Sequence, residues 1–320
     1  MITVIFQIAK NTFRENVREP IFLLILLASL TLTGLVPTMT LFVFREQTKM
    51  VVDTAMANLL LGGWVLAVIC SSHSIAREIE SGTAMLILAK PVERGVFIIG
   101  KILGVTGGLL VFCFLNSLAA LIAIRVAKDQ FWYDTKGLWA FFIGLVLCLA
   151  GGGVWNYVKR GSYPMNALIC LAIGLPAVTG VIRFIPVDGD FLPYAWHVVP
   201  ALILVTYAVI AMGVLAAALS TRLQLVSNML VCGVVFTLGL MSDYLLSLFA
   251  ETNWLAAALY AAIPNWQLMW MADALASGDG GIPWGYVAWG GLYVLMFACI
   301  FVSLAVILFR KREIGDQAGL

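Results

Sequence analysis

Gly95, Gly100 and Lys101 satisfy most of a GxxxxGK phosphate-binding pattern, and they are the first residues whose spacing invites a chemical reading. A phosphate cradle needs a pliant backbone whose N–H groups turn toward the ligand, and a Ser or Thr after the lysine to hold magnesium. Ile102 stands in the hydroxyl position, the intervening Val96, Phe97, Ile98 and Ile99 are bulky and apolar, and no strand precedes them. Nucleotide is not bound here, and any ATP must be hydrolysed by another chain. His73 and His197 are the two histidines, and the spans assigned below put them near opposite membrane surfaces. They cannot share a metal or serve one nucleophile, which argues against a membrane-embedded acyltransferase or protease. Cys70, Cys113, Cys148, Cys170, Cys232 and Cys299 lie in apolar runs with no CxxC, so they read as small core residues. Asp243 falls near the outer end of its apolar run and reads as a capping or snorkelling acid rather than a proton carrier. No catalytic, cofactor-binding or metal site is expected within this chain.

The remaining concentration of polar residues is the stretch from Arg77 to Lys101, REIESGTAMLILAKPVERGVFIIGK. Arg77, Glu78 and Glu80 begin a helix that runs through Met85–Leu88. Pro91 breaks it, and Glu93 opens a second helix with a favourable negative first turn. Two short helices hinged at a proline form an elbow. The apolar Met85, Leu86, Ile87 and Leu88 are awkward in plain solvent, so the elbow reads as a docking surface with a charged rim and an apolar centre.

The elements that must position this elbow are membrane spans. With 62% hydrophobic and 11% charged residues and a mean hydropathy of +1.01, the chain holds more apolar side chain than one soluble core buries. The net charge of +2 gives no reason to expect a nucleic-acid partner. Residues 1–20 set Ile2, Ile5, Phe6, Ala9, Phe13 and Val17 on one stripe and Lys10, Arg14 and Arg18 on another, an amphipathic helix lying on membrane lipid before Pro20. Windows of about 20 apolar residues then give eight spans, near 21–44, 56–74, 97–125, 137–155, 165–183, 197–219, 223–249 and 286–309. The fold class is all-α and polytopic. Residues 21–309 form the transmembrane domain, with a coupling segment at 75–97 and short external helices at 250–285, and 310–320 form a tail. Thirteen of the 19 Lys and Arg fall on the side of the N-terminus, so the positive-inside bias puts both termini in the cytosol. Intramembrane polarity is scarce, mainly Asn116, Ser117, Asn166, Thr206 and Asn228, which points to a lipid-like cargo or to none.

Glu80, Ser81, Gly82 and Thr83, followed by Leu88, Pro91, Arg94, Gly100 and Lys101, resemble the signature of ABC-2 type exporter permeases, in which such a segment joins the second and third spans. The amphipathic N-terminal helix, the Ser220–Thr221–Arg222 turn and the basic Arg310, Lys311 and Arg312 are similar to that family too, most of all to its nitrous oxide reductase maturation branch. The family usually has six spans, so 137–183 reads as an added pair. The resemblance implies a homodimer served by two cytosolic ABC ATPase subunits that bind ATP and Mg, in the inner (plasma) membrane, with a periplasmic partner as a further possibility. It implies ATPase contacts at Arg77, Glu78, Glu80, Ser81, Thr83, Glu93 and Arg94, with Gly82 and Pro91 shaping the turn and Lys10, Arg14 and Arg18 on the flanking helix. The chain is then no enzyme by itself. The competing reading is a membrane scaffold, or a mechanotransmission subunit that moves no cargo.

Overall fold

Proline at position 20 cannot donate the backbone hydrogen bond that would continue a helix, and at Glu19 the chain turns from an interfacial helix into the first span. In the computed structural model, α1 (Ile2–Arg18) lies across the bundle and α2 (Pro20–Met39) enters it. The structure describes residues 2–39, 47–80, 93–127, 133–187, 190–245, 253, 254, 257, 260, 263–276 and 281–310. The remaining elements are α3 (Gln47–Ser71), a π turn (Ser72–Ala76), α4 (Arg77–Glu80), α5 (Arg94–Val126), α6 (Thr135–Lys159) and α7 (Tyr163–Arg183). They continue with α8 (Val199–Leu219), α9 (Leu225–Leu240), α10 (Ala272–Ala276) and α11 (Trp284–Arg310), with 3-10 turns at Trp196–Val198 and Gln267–Met269. The described residues are helical apart from turns and the isolated bridges Ala127–Tyr133 and Val187–Asp190.

Among the described residues seven helices are long and apolar enough to cross a membrane, and the chain is a multi-pass membrane protein. The seventh expected span, 223–249, opens with α9, 16 residues or about 24 Å at 1.5 Å per residue, and bends at Met241 before the helical residues 242–245. Its direction follows from its neighbours. Gly290 of α11 faces Leu204 and Gly291 faces Tyr207 near the start of α8, while Arg222 Nη2 donates to the Leu308 carbonyl beyond the far end of α8, 2.9 Å away. So α8 and α11 run parallel, and α9 must return the chain to the opposite face between them.

The hub is α5, which packs against α1, α2, α3, α6, α7, α8 and α11. Its 33 residues, about 50 Å long, exceed a bilayer core of about 30 Å. The α6–α7 hairpin lies outside this hub, its helices packed tightly on each other and lightly on α1, α2 and α5. Small residues bring the pair together: Gly152 leaves no room for a Cβ beside the Ala167 backbone. Several intramembrane polar side chains bond within the protein. Ser29 Oγ donates to Asn116 Oδ1 at 2.6 Å, Asn116 donates to the Phe112 carbonyl, and Thr206 bonds back to Leu202.

The two faces of the bundle carry different locks. At the face where α5 ends, Arg125 is buried, pairs with Asp134 at 3.4 Å and donates to the Ile185 and Leu192 carbonyls, holding the α7–α8 link. His197 belongs to this face and His73 to the other, as the span assignment requires. Asp243 follows α9 and accepts from the Tyr260 hydroxyl and the Asn265 side-chain amide.

Candidate functional site

Six apolar turns carry α3 across the bundle, and at Ser72 the hydrogen-bond register changes without breaking the helix. The Arg77 N–H reaches back five residues to the Ser72 carbonyl, which defines a π turn over Ser72–Ala76, and α4 continues from it. Such turns admit one extra residue and re-aim the side chains that follow. The expectation of a separate helix starting at Arg77 is therefore corrected: Arg77–Glu80 continues the α3 rod. Glu93 adopts the extended geometry that precedes a helix, φ −62° and ψ 139°, and Arg94 is the first residue of α5, so the second expected short helix is the start of that span.

Around the π turn the chain gathers polar side chains from four elements. Ser74 Oγ donates to Asn16 Oδ1 of α1 at 2.6 Å. Asn228 of α9, fully buried, donates to Ser72 Oγ at 3.0 Å, to Ser220 Oγ at 2.8 Å and to the Ala216 carbonyl at 3.1 Å. His73 Nε2 lies 3.3 Å from Glu19 Oε1 and in hydrogen-bond contact with Arg77.

Lys101 sits at the centre of the second half of the junction. Only 2% of its side chain is exposed, and Nζ contacts Glu78 Oε1 at 2.7 Å and Glu15 Oε2 at 3.4 Å. One ammonium group thus ties α4, α1 and α5 together. Gly100, beside it, explains how α1 comes so close: a Cβ there would stand 2.8 Å from Ile8, and one at Gly104 would stand 2.6 Å from the Ala9 carbonyl oxygen. The glycine-lysine pair that imitates a nucleotide loop is thereby accounted for. Gly95 to Lys101 are helical; Gly100 admits a crossing helix and the lysine bridges two carboxylates.

The expected contact residues fall unevenly around this junction. Arg77 is exposed beside His73, Glu78 points inward to Lys101, and Glu93 and Arg94 are exposed at the head of α5. Glu80 closes α4. Ser81, Gly82, Thr83 and Pro91, with the apolar Met85–Leu88, lie outside the described residues. Lys10, Arg14 and Arg18 are exposed on α1. The junction adds Glu15, Asn16, Glu19, Ser72, Ser74, Lys101 and Asn228. Of these, Lys101 stands in the family-like signature and Asn228 among the intramembrane polar residues, whereas Glu15 and Glu19 show only as acids four apart, off the basic stripe. Among the described residues no three of His, Cys, Asp or Glu converge as metal ligands. The junction fastens helices to one another.

Residues 6–154, from α1 through most of α6, match the family model described as ABC-2 family transporter protein. Over residues 6–154 the match bears out the resemblance to ABC-2 type permeases read from Glu80 to Lys101. It also runs into the first helix of the α6–α7 pair. Comparison with curated proteins finds no match.

Proposed function

We propose that this chain is the permease subunit of an ATP-driven ABC exporter, with the segment between α4 and α5 as the surface gripped by a separate cytosolic ATPase. On this reading the chain works as a homodimer with two ATPase subunits that hold ATP and Mg. It lies in the inner (plasma) membrane with the α1 face and both termini toward the cytosol. The observation that carries the reading is the Lys101 bridge to Glu78 and Glu15. The segment leaves the bundle as a continuation of α3 and returns as α5, and Lys101 ties those two stems to each other and to α1. When the ATPases close on ATP they displace the segment, and the stems follow as one body. The displacement then appears as a tilt of whole spans rather than a bending of their ends.

The test uses membranes or vesicles holding the chain together with its ATPase. Glu80→Lys combined with Arg94→Glu reverses the charge on the rim of the segment. Uncoupling is expected, with ATP-dependent transport lost while the thermal unfolding temperature of the purified chain stays unchanged. Transport at the wild-type level in that variant overturns the docking role. Nucleotide hydrolysis by the purified chain alone overturns the division of labour.

A further inference from the structure

We propose that α1 and the α6–α7 turn form a seat for anionic phospholipid headgroups in the leaflet on the α1 side. The first observation is a separation of charge on α1. Glu15 of α1 and Glu19 just past its end lean on Lys101 and His73 of the bundle, with 30% and 36% of their side chains still exposed, whereas Lys10, Arg14 and Arg18 are fully on the outward stripe. Spaced four apart, these three continue a line that begins at Phe6, and Phe6 and Ile2 are exposed at 68% and 84%. Cations flanked by bare apolar side chains suit the boundary between headgroups and acyl chains, not bulk water.

The second observation is independent of α1. From Thr135 to Arg183 the chain contains no Asp or Glu, yet its turn carries Lys159 and Arg160. Arg160 takes a left-handed conformation, φ 48°, and Lys159 lies 5.5 Å from the Trp155 ring. Tyr157 is 87% exposed beside them, and Trp155 and Tyr163 are partly so, an aromatic collar of the kind that sits at headgroup depth. The Asn166 amide packs under the turn at Gly161, and its Nδ2 is buried without a partner, a free donor at the same place.

The two parts belong to one surface. α6 starts beside the end of α5 and runs back toward the start of α5, where α1 crosses, and α7, which begins three residues after Arg160, packs against α1. None of the five cations has an ion-pair partner among the described residues. No acid of α6 or α7 exists to supply one, so the countercharge comes from the bilayer. The peripheral hairpin thereby extends the footprint of α1 on the lipid surface. The lipid seat depends on membrane embedding alone and stands apart from the transport reading.

Native mass spectrometry of the chain, released from bilayers of equimolar phosphatidylglycerol and phosphatidylethanolamine, tests it. Retention of phosphatidylglycerol in clear excess is expected. Neutralising Lys159→Gln with Arg160→Gln, or Lys10→Gln with Arg14→Gln and Arg18→Gln, lowers the excess by up to about fivefold per cation, and more salt in the bilayer buffer before release lowers it further. The exchange Lys159→Arg with Arg160→Lys keeps the charge and retains the excess, which separates headgroup binding from damage to the fold. Equal retention of both lipids by the wild type overturns the proposal, as does an undiminished excess in either neutralised variant. Loss of a co-purified ATPase from the α1 variant, with lipid preference unchanged, also overturns it and assigns the stripe to protein docking.

Discussion

An ammonium group held almost dry between two carboxylates makes Lys101 the most consequential single side chain in the protein. Removing it takes from Glu15 and Glu78 the ammonium that both contact, and breaking such a pair costs on the order of 3 kcal/mol. Lys101→Met should therefore lower the unfolding temperature in detergent. Adding Glu15→Gln and Glu78→Gln should recover most of the loss, because neutral amides need no counterion. A thermal-shift series across the three variants decides this; no recovery in the triple variant would remove the charge argument. The neighbouring glycine makes a different prediction. Gly104→Leu, placed 2.6 Å from a carbonyl oxygen at its first carbon, should push α1 off α5 and speed amide hydrogen exchange over residues 2–18. Gly107→Ala, whose added carbon meets only the Phe13 ring at 3.4 Å, should leave the exchange unchanged.

Elements rather than residues decide how motion at α4 reaches the rest of the bundle. The π turn is grasped by α1 through Ser74 and by α9 through Ser72, and Asn228 extends the second grasp to the end of α8. Asn228→Leu leaves those groups without their buried donor, a loss of about 1–3 kcal/mol. Amide exchange in α9 should rise while α2 stays protected, because α9 packs on little else than α3, α8 and the π turn. Ser72→Thr, which keeps a hydroxyl, should behave as wild type, and Ser72→Ala should shift α9 in the same direction as Asn228→Leu.

These helices were largely legible in the sequence, since spans of about 20 apolar residues announce themselves, and so was the Pro20 corner. The π turn was not, because a one-residue change in register alters no apolar period. The pairing of Lys101 with Glu15 was not either: 86 positions separate them, and composition does not encode which distant carboxylate a lysine meets. The polar asparagines were visible as polar but not as bonded. Asn116 and Asn228 lie on helices that look apolar all round, so their partners on α2 and on the π turn appear only once the helices are packed.

At the scale of the molecule, the parallel run of α8 and α11 fixes which helix ends share a face. Arg160, at the α6–α7 turn, and Trp196, at the 3-10 turn, must then lie on opposite sides. In a background lacking native cysteines, Arg160→Cys and Trp196→Cys should react with a membrane-impermeant maleimide from opposite sides of sealed vesicles. Labelling of both from one side would contradict the crossing of α7 between them.

The shortness of α9 carries a further consequence. A rod about 24 Å long that must traverse a hydrocarbon film of about 30 Å creates a mismatch, which the surrounding bilayer relieves by thinning locally. Phospholipids with shorter acyl chains should therefore gather along α9, and in bilayers of long-chain lipid this edge of the protein should be strained while the 33-residue α5 is not. Acyl-chain length becomes a physical control on the protein, independent of headgroup charge.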